Sequence, residues 1–133
     1  MAAPFIERTI RFAAGQTYRN LEILISVDSG SDETLAICER HAALDRRIKV
    51  FAQAERLGWV GNVNYLLDRV RTPYFTLYFH DDILLPQYVA TLLTNLEERP
   101  DAGSVHCDMG HFGGADNFSA GRTYDGSTAE RLM

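Results

Sequence analysis

Residues 74–86 read YFTLYFHDDILLP, and the fold turns on how this stretch is read. Tyr74 to Phe79 is a short apolar run, rich in aromatics and free of charge. Such a run is expected as a strand buried on both faces, the habit of parallel sheets. Asp81 and Asp82 follow side by side, and Ile83-Leu84-Leu85 leads on to Pro86. Charges do not lie inside a buried strand, so the Asp pair is expected just past its carboxyl end, the edge where open α/β sheets bind ligands. Adjacent carboxylates repel each other and resist desolvation unless a cation joins them. Hard oxygen donors favour Mg²⁺ or Mn²⁺, often shared with substrate phosphates. A plainer reading fits the spacing equally well: a solvated turn and helix cap before Pro86.

The rest of the chain alternates helices and strands. Pro4 to Ala14 reads as a helix with Phe5, Ile6, Thr9, Ile10 and Ala13 on one face. Leu21 to Val27, LEILISV, reads as a buried strand running into Asp28-Ser29-Gly30-Ser31. Ser31 is placed to cap a helix that opens with Asp32 and Glu33 and turns Leu35, Cys38 and Ala42 inward. Arg47 to Ala52 is a short strand, and Trp59 to Arg69 a helix with Val60, Val63, Asn64 and Leu67 on one stripe. After the central strand comes a helix from Pro86 to Glu98 with Val89, Leu92, Leu93 and Leu96 inward. Gly103 to Cys107 is a fourth strand, and Asp108 to Met133, rich in Gly, Ser, Asn and Asp, is loop. Strands alternating with helices imply βα units and an α/β fold with a mainly parallel sheet and flanking helices.

The 133 residues fit one domain, spanning 1–107, followed by a Gly-rich tail over 108–133. The net charge of −5 is mild, and the cations are scattered Arg with Lys49 the single Lys, so no basic stripe suggests a nucleic-acid partner. No apolar run reaches membrane-spanning length, and no basic-then-apolar leader opens the chain. Cys38 and Cys107 are too few for a disulfide framework and read as small buried hydrophobes in a reducing cytoplasm. His106, Cys107, Asp108 and His111 match no strong zinc spacing and read as ordinary polar residues at a strand end. His80 stands beside the Asp pair, where it could ligate or face solvent.

Three further features carry chemistry. Asp28 lies at the carboxyl end of its strand, where a carboxylate can accept from a ribose or a uracil ring, and Gly30 lets a ligand approach the backbone. The same residues also fit a helix-capping turn. Arg56 and Asn62, in RLGWVGNVN, have donors suited to a diphosphate. Asn64, polar on an apolar stripe, needs a partner if buried.

Taken together, three segments resemble family 2 glycosyltransferases, nucleotide-sugar enzymes of the GT-A fold. QTYRNLEILISVDSGSDET is similar to the family's Q-T-Y-x-N-x-E-I-[IV]-[IV]-V-D-D-G-S, with Asp28 at its first Asp and Ser29 at its second. HDDILLP resembles the metal segment, where an apolar strand meets D-x-D-D, an apolar pair and Pro. Asp81 and Asp82 match its last two Asp, and Phe79 stands where the first usually does. Gly58 and Asn64 match the family's Gly and Asn of a Gly, spacer, Arg-Asn pattern, with Val63 in the Arg place. The resemblance covers roughly Pro4 to Gly103. It implies a GT-A-like (Rossmann-like) nucleotide-binding half and transfer of a sugar from a nucleoside diphosphate sugar to an acceptor hydroxyl. Asp81 and Asp82 would hold a divalent Mn or Mg ion, and Asp28, Arg56 and Asn62 the nucleotide.

The family opens with a strand and a P-x-Y-N turn, and its base, an Asp or Glu, comes well downstream of the metal motif. The chain is therefore expected to lack the opening strand and the acceptor-side half, and no catalytic residue is assigned. Without the opening strand, LEILISV is expected to have a bare edge that a second copy covers, giving a homo-oligomer. The alternative is a non-catalytic fragment, a nucleotide-binding or interaction module without turnover.

Overall fold

The computed structural model describes residues 2–30, 33–111 and 117–119. They fall into two units, 1–90 and 91–133.

The first unit is built on one parallel βαβ motif. α1 spans Ala3–Ala14, β1 Ile23–Val27, α2 Thr34–Leu44, β2 Ile48–Ala52 and α3 Gly58–Leu67. β1 and β2 pair in parallel with Ile23 opposite Ile48 and Val27 opposite Ala52. Alternation along the strands then decides what packs where. Ile23, Ile25 and Val27 of β1 and Ile48 and Val50 of β2 join Ile6 and Ile10 of α1 and Ile37 and Cys38 of α2 in one apolar core. The opposite face carries Ser26 and Phe51. Phe51 meets Tyr65 of α3 edge-on at 5.7 Å, and the Arg69 guanidinium lies 3.4 Å from the Tyr65 ring centre. The unit is thus a two-stranded sheet between α1 and α2 on one side and α3 on the other.

At the amino ends of the strands, Asp45 and Arg47 form a bidentate pair, Arg47 Nη2 to Asp45 Oδ2 at 2.7 Å. The same Nη2 donates to the Ala14 carbonyl at 2.8 Å, tying the end of α1 to the start of β2. The Arg47 hydrogen bonds hold the Asp45 carboxyl down at about 2.

α1 follows the expected spacing, with Pro4 in its first turn and Ile6, Thr9, Ile10 and Ala13 buried. Phe5 falls at the edge of that stripe and is exposed, contrary to expectation. The expected cap at Ser31 and Asp32 lies outside the described residues, and Glu33 takes the cap position without a side-chain bond. Cys38 is buried as expected, while Cys107 is exposed.

The central strand is the main correction. Residues 74–79 form no strand, and Tyr74, Phe75, Leu77 and Phe79 are 47, 60, 48 and 47% exposed. A strand exists through pairing. Among the described residues none pairs with this run, and β1 pairs on one side only, with β2. The run makes local bonds instead: Thr72 Oγ1 donates to the Tyr74 carbonyl at 2.7 Å, and the Phe79 N–H donates to Asp82 Oδ2 at 3.2 Å.

α4 spans Tyr88–Glu97, shorter at both ends than expected, and reaches into the second unit. In that unit 103–107 is not a strand. The segment read as loop from Asp108 instead holds β3, Met109–His111, paired antiparallel with β4, Asn117–Ser119. Composition missed it because these strands are three residues each and their register is set by pairing, not by apolar alternation.

Candidate functional site

The carboxyl ends of β1 and β2 and the start of α3 meet around Asp28. Its Oδ1 accepts the Leu57 N–H at 2.8 Å and Asn62 Nδ2 at 2.7 Å, and its Oδ2 accepts the Gly58 N–H at 3.1 Å. Leu57 and Gly58 open α3, whose first N–H groups have no partner within the helix. Asp28 supplies one from another element, at the positive end of the helix dipole. Gly58 adopts φ +68°, a left-handed value that glycine takes without strain, and this turns its N–H toward the carboxylate.

Asn62 is the hub of the arrangement. Its Nδ2 donates to Asp28 and also to the Gly58 carbonyl at 2.8 Å, and its Oδ1 accepts from the Ser26 hydroxyl. The Ser26 hydroxyl in turn accepts from Gln53 Nε2 at 2.8 Å. A line of donors therefore runs from Gln53 through Ser26 and Asn62 to Asp28. The Asp28 pKa is lowered, first by the Asn62 hydrogen bond, against desolvation, and then by the Leu57 and Gly58 amides and the Arg56 charge. Asp28 is held as an anion.

Of the expected nucleotide contacts, the structure joins Asp28 and Asn62 directly. Both amide hydrogens and the amide oxygen of Asn62 are engaged by protein groups, the Asp28 carboxylate among them. Arg56 is exposed and acts on Asp28 through its charge alone. Asn64, expected inward, is exposed, as are Val60 and Leu67. The helix is rotated so that Asn62 meets Ser26, because the face of β1 it packs against carries a hydroxyl.

The Asp81–Asp82 turn is anchored elsewhere, on α1. Thr9 Oγ1 donates to the His80 carbonyl at 2.5 Å, and the Tyr78 hydroxyl lies 3.2 Å from the carbonyls of Thr9 and Asp82. Burial, helped by the Asp82 charge, pushes the Tyr78 hydroxyl up to about 12, so it stays a donor. Asp82 Oδ2 also accepts the Phe79 N–H, as its plainer turn reading expects. Both carboxylates are exposed, and neither bonds to the Asp28 network.

Beyond the turn, Gln16 clasps the chain. It is 1% exposed, and its Nε2 donates to the carbonyls of Phe12 at 3.2 Å and Leu85 at 2.9 Å. Its Oε1 accepts the Val89 N–H at 3.0 Å. The Thr17 N–H adds a bond to the Pro86 carbonyl at 2.8 Å.

Among the described residues no group of three or more His, Cys, Asp or Glu gathers to hold a metal. The donor set at Asp81 and Asp82 fits a hard cation in one way. Mg²⁺ is commonly held by one or two carboxylates with the remaining positions filled by phosphates and water. Two exposed carboxylates suit that mode and do not make a closed protein cage. An open cleft of about 430 Å³ lies at the opposite, amino ends of the strands, lined by Arg19, Asn20, Leu21, Asp45, Arg46 and Arg47. It is remote from Asp28, and Asp45 and Arg47 there already bond each other, with Arg47 Nη1 buried and without a partner among the described residues.

Ser26 and Gln53 were not expected at the site, and Gln16 was expected only as the first residue of the family-like Q-T-Y segment. Ser26 had a signal: it is the one hydroxyl in an apolar strand, on the face opposite Ile23, Ile25 and Val27. Gln53 had none beyond being polar at the end of an element.

Comparison with known proteins adds the family. The family described as "Glycosyl transferase family 2" matches residues 1–131. An uncharacterized glycosyltransferase of Haemophilus influenzae is 34% identical over 97 residues, 73% of this chain and 30% of that protein. The GalNAc(5)-diNAcBac-PP-undecaprenol beta-1,3-glucosyltransferase of Campylobacter jejuni is 33% identical over 94 residues, 70% of this chain and 30% of its own length. Glycosyltransferase GlyG of Streptococcus pneumoniae is 29% identical over 84 residues, 63% of this chain and 28% of that protein. The chain thus spans about a third or less of each of these relatives.

Proposed function

The chain belongs to glycosyl transferase family 2, and from that premise we propose that it forms the donor-binding part of an enzyme moving a sugar from a nucleoside diphosphate to an acceptor hydroxyl. The observation that carries this reading is the Asp28 carboxylate. It is ionised, fixed by three donors, and set at the carboxyl edge of the parallel pair, where α/β sheets bind nucleotides. Asp28 would accept from the nucleoside. Arg56, exposed beside it, would meet the diphosphate charge. Asn62 would hold Asp28 and touch no ligand.

Asp81 and Asp82 would hold a Mn²⁺ or Mg²⁺ ion together with the diphosphate. Such an ion, when bound, stabilises the negative charge of a departing diphosphate. The chain's own part there is to fix the turn, through Thr9, Tyr78 and the Gln16 clasp. Cys38 and Cys107, which form no disulfide with each other, suit a reducing, cytoplasmic setting. No helix among the described residues is long and apolar enough to cross a membrane. The exposed apolar side chains of 74–79 and the side of β1 that no described residue pairs with favour self-association.

A second reading, a binding module without turnover, is favoured by one observation. Among the described residues Asp28 is the sole carboxylate of its network, and three of its four acceptor positions are taken, so the network offers binding groups and no free base. Calorimetric titration of UDP with and without Mn²⁺ tests the proposal. Binding that Asp28→Asn abolishes, and that both metal removal and Asp81→Ala weaken, is expected. Equal heats with and without Mn²⁺ would remove the metal role. Hydrolysis of a UDP-sugar in the same samples separates an enzyme from a binding module.

A further inference from the structure

The inference rests on the reading of Asp28 as the nucleoside contact. An ionised carboxylate has about four lone-pair positions, two on each oxygen. At Asp28, Oδ1 already takes two donors, Leu57 N–H and Asn62 Nδ2. Oδ2 takes one, the Gly58 N–H. Among the described residues nothing else reaches the carboxylate, and a single acceptor position remains, on Oδ2.

We propose that Asn62 is a specificity-determining residue for the base: by filling Oδ1 it leaves Asp28 one acceptor position, which suits uracil or thymine and not guanine. Uracil and thymine present one imide N–H to such a carboxylate. Guanine presents its ring N–H and its exocyclic amine side by side, and satisfying both takes two oxygens. With Oδ1 full, one guanine donor is left buried and unpaired, the error that a hydrogen-bonding site penalises most heavily.

Asn62 cannot easily turn aside. Its Nδ2 faces two groups that only accept, the Asp28 carboxylate and the Gly58 carbonyl. Its Oδ1 faces the Ser26 hydroxyl, which is itself oriented by the Gln53 donor. These partners fix the direction of the amide, so its orientation is set by chemistry and not by choice of rotamer. The Leu57 and Gly58 amides are backbone and survive side-chain replacement. Asn62→Ala therefore opens one position on Oδ1 while Oδ2 keeps its own, and the two oxygens together then match guanine.

The experiment compares dissociation constants of UDP and GDP, which differ only in the base, by calorimetry with Mn²⁺ present, for the wild-type chain, Asn62→Ala and Ser26→Ala. The wild type is expected to prefer UDP. Asn62→Ala is expected to narrow the UDP-to-GDP preference about tenfold, the worth of roughly one hydrogen bond to a charged group. Ser26→Ala keeps the Asn62–Asp28 bond but loosens it, and a smaller narrowing, about twofold to threefold, is expected. Should Asn62→Ala fail to fold by circular dichroism, Ser26→Ala decides by the same ratio. Equal weakening of both nucleotides, with the ratio unchanged, would make Asn62 a structural residue only and overturn the proposal. UDP binding that Asp28→Asn leaves intact would instead overturn the nucleoside reading, and this proposal with it.

Discussion

Replacing Gln16 by Ala tests how the segment bearing Asp81 and Asp82 is held to α1. The side chain is 1% exposed and makes three hydrogen bonds, to the carbonyls of Phe12 and Leu85 and from the N–H of Val89. Truncation strands one backbone group of the connecting segment, the Val89 N–H, while the Leu85 carbonyl keeps the Tyr88 N–H at 3.0 Å. A buried group left without a partner costs about 1–3 kcal/mol. We therefore expect a loss of about 2 kcal/mol, against about 5–15 kcal/mol for a whole domain. With a urea slope of about 1–3 kcal/mol per molar, the unfolding midpoint should fall by roughly 1–2 M. Gln16→Glu sharpens the test. It keeps the acceptor for Val89 but sets a carboxylate against two carbonyls, so the folded-state pKa of the introduced carboxyl is raised. That variant should be least stable at neutral pH and recover as pH falls through the raised pKa, when the protonated side chain can again donate to Leu85. Urea melts followed by circular dichroism at pH 7 and pH 4 measure both effects. A loss below about 1 kcal/mol for Gln16→Ala, or no pH dependence for Gln16→Glu, would refute the clasp.

Three further outcomes are expected. The Asp45 carboxyl is lowered from 3.8 to about 2 by Arg47, so the pair stabilises the fold above pH 3.8 and loses that contribution as pH falls through 2. With the two side chains about a fifth to a quarter exposed, Asp45→Asn should cost about 1–2 kcal/mol at pH 7 and converge with wild type by pH 2, as read from melts across that range. Gly58→Ala meets open space but is forced to φ +68°, so a loss of about 1–2 kcal/mol is expected from backbone strain; an unchanged melting temperature would contradict it. Light scattering on a size-exclusion column should give a mass above the 15.0 kDa monomer that falls on dilution, and Phe75→Ser with Phe79→Ser should abolish it. A monomer at every concentration would dismiss self-association.

What the sequence made legible follows from which force sets each element. α1, β1, α2 and β2 are set by burial of one apolar face, and the spacing of Ile6, Ile10, Cys38 and Ile48 records that face directly, while Ile37, buried beside Cys38, was not expected inward. The run 74–79 carries the same apolar signal, yet forms no strand, because a strand also needs a neighbour to pair with and composition does not encode one. Asp28 was legible as a strand-end carboxylate, with a helix-capping turn and a ligand contact both open. Its partners were not, because Asn62, Ser26 and Gln53 sit where apolar periodicity has nothing to say.

The misreading of α3 shows the cause. Choosing its inner face by hydropathy put Val60, Val63, Asn64 and Leu67 inward, and all but the half-buried Val63 are exposed. The helix instead turns a side-chain amide toward a strand hydroxyl, since a half-buried Ser26 would lose more without a partner than an exposed Leu67 loses in water. The rotation that leaves Leu67 out is the same rotation that brings Asn62 to Asp28. In this chain the unfavourable placement of apolar side chains on α3 and the preparation of the carboxylate are one structural event, which is why a reading by hydropathy fails where the proposed site is built.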